Sequence, residues 1–382
     1  MNTFRIFPAL ALLVCIIFTS NASATIDSNA AIVQVQDPAN GNCMEAGAPL
    51  NNCFTDSISL TNWIAARNPQ PSSTAPLLVK FGPGHFGGLI CGNSGGADVT
   101  NITFQGSGRG QTKIDTVTIQ LCTNVLFSNM TIGSYARGNT YGIVVFNSGK
   151  TTTWTNVEVI GPDPWYEYSC TGVVGKHTWF GSTISSIKAG DVSVYNTHCD
   201  QSWFYGSEII AQSTGGTLSN GITAINAVGG EVHVYGSVIR SLNTGTAVTT
   251  ANLHTAVYAS GAGTMVHIHG TGIDLSSSTA SAIVALNAEN GAMIHANDTA
   301  YNMQSGTGGT VTRILNNGGH IHAPYLWEHI PDPTAIPNFT SVTGADMTNV
   351  TTSTSDGHPH FVIYDSTCAS KWYDTVDKAC RP

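Results

Sequence analysis

Charge is what this chain has least of. Asp, Glu, Lys and Arg make up 10% of its 382 residues, against about a quarter in an ordinary soluble domain. Basic residues are the scarcest, 14 against 23 acids, for a net charge of -9. No basic patch or stripe forms, which excludes nucleic acid as a partner. Charged amphipathic helices are excluded as the main building element. Beyond residue 24 no apolar run approaches the roughly 20 residues that a membrane-spanning helix needs. The mature chain is therefore expected to have no transmembrane segment.

The first residues are the one long apolar stretch. Arg5 precedes an apolar run over 9–18, and Ala22-Ser23-Ala24 suits a cleavage site. Residues 1–24 are expected to be an export signal, which makes the protein secreted or extracellular, or periplasmic in a bacterial host. Of the 9 Cys, Cys15 falls in this leader. Cys43, Cys53, Cys91, Cys122, Cys170, Cys199, Cys368 and Cys380 remain, an even set. Export and an even set favour disulfides over metal thiolates. Sequence neighbours are the expected pairs: Cys43 with Cys53, Cys91 with Cys122, Cys170 with Cys199 and Cys368 with Cys380. The spacing alone leaves other connectivities open.

In place of charge stand 41 Gly and many Thr, Ser and Asn, a composition of strands and turns. The segment GGEVHVYG (229–236) recurs as GTMVHIHG (263–270), GAMIHAND (291–298) and GGHIHAPY (318–325). Upstream, AGDVSVYN (189–196), KTTTWTN (150–156), VLFSN (125–129) and ITFQG (102–106) fit the same outline. Each closes on Asn or Gly (Gly106, Asn129, Asn156, Asn196, Gly236, Gly270), the residues that tolerate left-handed backbone. A second β-prone run follows each bend: MTI, VEVI, THC, SVI and TGI. A third, GIVVF, ISSI, ITAI, TAVY, AIVAL or VTRIL, lies upstream of the Gly-rich turn. Three strands and three turns per repeat describe a parallel β-helix, an all-β solenoid. Alternation predicts Val232 and Val234 inward, His233 and Tyr235 outward. Insertions are expected at one of the three turns. Residues 54–67 read as an amphipathic capping helix, with Ile58, Trp63, Ile64 and Ala65 on one face and Thr55 or Asp56 as N-cap. The resulting layout is a leader (1–24), an N-terminal segment with capping helix (25–76), a β-helix (77–330), and a C-terminal tail with a small disulfide-closed clasp (331–382).

A helix, a linker, a strand running into GPGHF, the stretch VTNITFQGSGRGQTKI and the Asn column together resemble the pectin-lyase-like superfamily of right-handed parallel β-helices. The resemblance covers roughly residues 54–330 and implies a right-handed coil. It also implies that loops at one turn wall a polysaccharide cleft beside the first strand. It brings no catalytic motif. The Trp-Ile-Asp-His and Arg-x-Pro-x-x-Arg strings of pectate lyases are absent. So are the Asn-Thr-Asp and Gly-His-Gly motifs of polygalacturonases and the Gln and paired Asp of pectin methylesterases.

The densest chemistry lies between 161 and 208, in PDPWYEYSC, KHTWFG and CDQSWFYGSE. These read as inserted loops pinned by Cys170 and Cys199. Trp165, Tyr166, Tyr168, Trp203 and Tyr205, with Lys176, are the expected sugar-binding residues, because aromatic faces suit sugar rings. Asp163, Glu167, His198, Asp200 and Glu208 are the expected acid–base residues. Hydrolysis needs two carboxylates about 5–10 Å apart. Uronate elimination needs a base and a neutralised carboxylate, a place for calcium. The bland alternative is an aromatic cluster that merely seals the loops. On the other strand, His267, His269, His295, His320 and His322 have the spacing of a zinc or copper face, or of a simple imidazole ladder tiling the solenoid. Two functional classes stay open. One is an exported lyase or glycoside hydrolase acting through 161–208. The other is a non-catalytic surface or matrix rod that binds a polysaccharide or cell-surface glycan.

Overall fold

Each strand of the solenoid pairs in parallel with the strand one coil away, so register, not long-range packing, defines it. The computed structural model describes residues 31–37, 53–66, 70–92, 99–120, 122–135, 141–146, 149–168, 174–249, 254–323, 326–327, 347–351, 360–364, 372–374 and 379–380. Its strands form three columns of a parallel β-helix. The first column is a 9-stranded sheet that includes Tyr141–Val145, Asp163–Glu167, Val192–Thr197, Ile222–Ala227, His254–Ser260 and Ala282–Glu289. The second includes Lys176–Phe180, Gln201–Tyr205, Glu231–Tyr235, Met265–His269 and Met293–Asn297. The third includes Thr183–Lys188, Glu208–Ser213, Val238–Asn243, Gly272–Ser277 and Thr299–Gln304. Cys122–Ile132 and Thr151–Ile160 run through the bend between the second and third columns as single strands.

That bend is where left-handed backbone is required. Asn129, Asn156 and Asp298 hold φ of 55°, 52° and 49°, and Gly181, Gly206, Gly236 and Gly270 hold 53°, 55°, 53° and 55°. The next residue is commonly Ser or Thr. Ser182 Oγ accepts from Val157 N at 3.1 Å, and Ser207 Oγ from Ser182 N at 3.3 Å. Bend amides that strand pairing misses thus find partners in the adjoining coil.

Two sequence assignments change here. Asn196 does not belong to the bend: it pairs with Tyr166 and Asn226 in the first column. The run ISSI lies in the third column, within Thr183–Lys188. The true successors of Asn156 are Gly181 and Gly206. KHTWF and QSWFY are therefore regular second-column strands, and most of 161–208 is coil rather than inserted loop. Inserted length goes mainly to the turn between the third and first columns, from Val159 to Trp165 in one coil and from Ile239 to Val257 in another.

The interior is a set of stacked columns. Phe104, Phe127, Trp154, Trp179 and Phe204 stack ring on ring at centroid distances of 5.0, 4.3, 4.9 and 5.8 Å. Val234, Ile268 and Ala296 continue that column. Trp165 stacks on Tyr195 at 5.2 Å from the first column. Each buried ring takes about 150–250 Å² out of water. Val232 and Val234 point inward and are fully buried, as alternation requires.

Helix α1 spans Ser57–Ala66. Asp56 is its N-cap: Oδ1 accepts from Ser59 N at 2.7 Å, and this bond holds its carboxyl below the usual range. The buried face is Leu60 and Ile64, while Ile58 points to solvent. The Cys91–Cys122 disulfide is present, with Cα atoms 5.6 Å apart. Cys53 and Cys199 are also disulfide-bonded. Cys43, Cys170, Cys368 and the leader lie outside the described residues, as does the side chain of Cys380. The C-terminal strands Met347–Thr351, His360–Tyr364, Trp372–Asp374 and Ala379–Cys380 form a separate antiparallel sheet.

Candidate functional site

The solenoid distributes the 161–208 residues over its interior and all three outer faces. Strand alternation sends Glu167 inward, where it is 2% exposed. Its Oε2 accepts from Thr197 Oγ1 at 3.1 Å and from the backbone N of His198, Cys199 and Asp200 at 2.9, 3.3 and 3.4 Å. It ties down the turn from first to second column. Asp200 is 1% exposed. Its Oδ1 accepts from Gly175 N at 2.7 Å, and its Oδ2 lies 3.1 Å from His177 Nε2. Trp154 Nε1 donates to Thr152 Oγ1 at 2.7 Å, and that hydroxyl lies 2.8 Å from His177 Nδ1. His177 thus bridges the Thr152 hydroxyl and the Asp200 carboxylate through its two ring nitrogens. Glu167, His177 and Asp200 also bring one ligand-type atom each within 4.8 Å of the others. Trp165 and Trp179 belong to the buried ring stack. Glu208 faces outward on the third column and pairs with Arg240 at 2.5 Å.

The first column's outer face carries Tyr166, and the remaining candidates stand at the ends of its strands. Tyr141 and Tyr166 sit on adjacent coils with centroids 4.9 Å apart, and Tyr166 lies 6.2 Å from Tyr168 and 6.0 Å from His198. Phe146 leans on Tyr168 at 5.0 Å. Tyr168 is 63% exposed. Asp163 pairs across from Tyr141 and lies 3.9 Å from Lys188 Nζ. Partial burial pushes its carboxyl above the ordinary value, against the pull of Lys188. Burial, with Tyr166 and Asp163 nearby, pushes the Tyr141 hydroxyl up. Asn196 and Asn226 extend this face as an amide ladder, Nδ2 to Oδ1 at 2.9 Å.

The second column's outer face is a different surface. Lys176 Nζ sits 4.1 Å above the Trp203 ring, which stacks on His233 at 4.9 Å, which stacks on His267 at 4.6 Å. Beside them run Phe180, Tyr205, Tyr235 and His269, each 5.2 Å from the next. Both faces of Trp203 and of Tyr205 are taken up by these contacts. Trp203 and Tyr205 are thus poor platforms for a sugar face. His295 and His322 continue the row with their rings turned, at 74° and 66° to their neighbours. His320 stands across from Met293 at the row's edge.

Sequence reading assembled Asp163, Tyr166, Tyr168 and His198 and missed Tyr141 and Lys188, which lie one coil away. His177 stands among the polar candidates with Glu167 and Asp200 in the sequence, and the structure brings these three together in the interior. The available signal was the run FGST, YGSE, YGSV, HGTG, in which a ring precedes each Gly-Ser or Gly-Thr bend. Those tetrapeptides mark four consecutive coils.

No protein-family model matches this chain, and no curated protein matches it either. Among solved structures it is similar to a pectin methylesterase mutant in complex with hexasaccharide IV. The TM-score is 0.36 at 10% identity, covering 72% of this chain and 80% of that one. It is also similar to pectin methylesterase PemA from Erwinia chrysanthemi, with a TM-score of 0.34 at 9% identity, covering 76% and 89%. The parallel β-helix itself rests on the strand register described above.

Proposed function

We propose that this chain is an exported β-helix that binds an extended polysaccharide or cell-surface glycan on its first-column face without cleaving it. The observation that carries the reading is the cluster of Tyr141, Tyr166, Tyr168 and His198 on consecutive coils, flanked by Asp163 and Lys188. Tilted, partly exposed tyrosines offer apolar ring surface and a hydroxyl, the pairing that sugar recognition uses. Hydrolysis needs a second carboxylate facing the first. Glu167 and Asp200 are turned inward and Glu208 is held by Arg240 on another face. The leader over 1–24 and the layout 25–76, 77–330 and 331–382 belong to this reading.

A second reading rests on Asp163. A carboxylate made more basic by burial, beside an ammonium that could neutralise a uronate, has the parts of a β-elimination site; bound calcium would strengthen the neutralisation. One experiment separates the two. The mature protein is run against a panel of acidic and neutral polysaccharides, with and without calcium, reading retention, unsaturated-uronate absorbance and reducing ends. Retention without new absorbance or reducing ends supports the binding reading. New absorbance that disappears in Asp163→Asn supports elimination. No retention by any glycan, or retention unchanged in Tyr166→Ala/Tyr168→Ala, overturns the tyrosine-face assignment.

A further inference from the structure

The stacked imidazoles of the second column are held with their edges outward, and one carboxylate meets two of them. Glu231 and His233 lie two residues apart on one strand and so share its outer side. His267 is the register partner of His233 on the next coil. The two rings are within 6° of parallel. Glu231 Oε1 lies 2.8 Å from His233 Nε2 and 3.6 Å from His267 Nε2. These three donors lie within 4.8 Å of one another.

We propose that Glu231, His233 and His267 bind a first-row divalent transition metal of the zinc or copper class. The carboxylate-to-imidazole distances fit such an ion once the His267 ring turns out of its stack on His233, so that its in-plane lone pair meets the ion; His295 on its other side is already turned at 74° and leaves that freedom. Tetrahedral bonds of about 2.0–2.1 Å separate neighbouring donors by roughly 3.3–3.4 Å. The two observed separations from the carboxylate oxygen fall on either side of that value. The donor set, two imidazoles and one carboxylate, is of borderline softness and suits zinc or copper over magnesium or calcium.

The surroundings fix the ligands. His233 is clamped between Trp203 and His267, and its Nδ1 lies 3.2 Å from the Tyr235 hydroxyl. A partner on the second ring nitrogen is what orients a ligating imidazole. The side chains of Glu231, His233 and His267 are 21%, 14% and 21% exposed, so an ion reaches them from solvent and keeps an outward position for water or ligand. This site is on a different column from the tyrosine face and stands or falls apart from it.

The test uses the full mature chain, stripped with chelator, and titrates it with zinc, copper(II), magnesium and calcium by calorimetry and thermal melting. The expected result is saturable binding of zinc or copper, a raised Tm that chelator reverses, and no response to magnesium or calcium. Glu231→Gln keeps a hydrogen-bond acceptor for His233 but removes the charge, and His267→Asn removes the ligand that stands 3.6 Å away. Each is expected to weaken this binding by about tenfold or more, and Tyr235→Phe by about tenfold, the effect of losing an orienting partner. The metal-free Tm of His267→Asn is expected to match wild type, which separates ligand loss from misfolding. Absence of a zinc or copper response in the wild type overturns the site. So does a response that survives both Glu231→Gln and His267→Asn at full strength, which would place the ion elsewhere, for instance at His320 and His322.

Discussion

Asn156 donates its side-chain amide to Oδ1 of Asn129 at 2.8 Å, and both residues hold left-handed backbone at the same bend of successive coils. Gly181, Gly206 and Gly236 take over the position with the same φ, and a Cβ built on any of them meets nothing within 4 Å. The glycines are thus required by dihedral angle and not by space. Gly206→Asn is expected to change stability by less than about 0.5 kcal/mol. Gly206→Val is expected to cost about 1–2 kcal/mol or more, because a β-branched side chain resists positive φ. Urea unfolding of the two variants checks the contrast, and equal losses would refute it.

The interior ring stack makes a larger claim on stability. Trp179 lies between Trp154 and Phe204 at 4.9 and 5.8 Å and is fully buried. Trp179→Ala should cost about 3–5 kcal/mol, while Trp179→Phe should cost much less. If the two cost the same, ring stacking does not hold this column.

Asp200 acts first on the framework. Its carboxylate accepts from Gly175 N at one oxygen and lies within bonding distance of His177 at the other. An amide keeps only one accepting oxygen. Asp200→Asn is expected to lose about 1–3 kcal/mol of stability, the cost of stranding a buried partner. Glycan retention by the folded protein should stay unchanged. Loss of retention at full stability would return Asp200 to the functional site.

His254 sets an acid limit. It is buried, its Nε2 lies 3.0 Å from Ser241 O, and burial pushes it down to about 4 from 6.5. The unfolded chain takes up this proton near pH 6.5 and the folded chain only near 4. Stability that is whole above pH 6.5 is therefore lost as pH falls toward 4, by about 3 kcal/mol from this residue. His254→Leu should flatten that part of the profile, and an unchanged slope would exclude His254 as its source.

The solenoid was legible wherever one side of a strand is uniformly aliphatic. EVHVY and MVHIH show Val232, Val234, Val266 and Ile268 as an inward pair per coil, and the structure keeps them there. It was illegible in KHTWF, where His177 and Trp179 face inward while Lys176, Thr178 and Phe180 face outward. Both sides carry rings and polar groups, so alternation gives no sign of which is the core. Asn196 misled for a related reason: VSVYN and EVHVYG share an outline, and only the pairing of Asn196 with Asn226 separates the columns. The tyrosine face was half legible. Asp163, Tyr166 and Tyr168 are close in sequence, but Tyr141 and Lys188 join them only through stacking of coils. The proposed metal site shows the same limit: the His spacing was plain, but the joining of Glu231 to two rings depends on register.

The shift from rings to aliphatic side chains after Phe204 divides the molecule optically. Trp63 lies in helix α1 and Trp154, Trp165, Trp179 and Trp203 in the earlier coils, and no tryptophan occurs from there to Trp327. A linear array held by nearest-neighbour contacts can open from one end. With Trp327 and Trp372 replaced by Phe, indole emission would watch the earlier coils alone while circular dichroism watches the whole chain. A dichroism transition that runs ahead of the fluorescence would mean that the histidine-bearing coils peel away first, leaving the tryptophan-bearing stretch as a folded remnant.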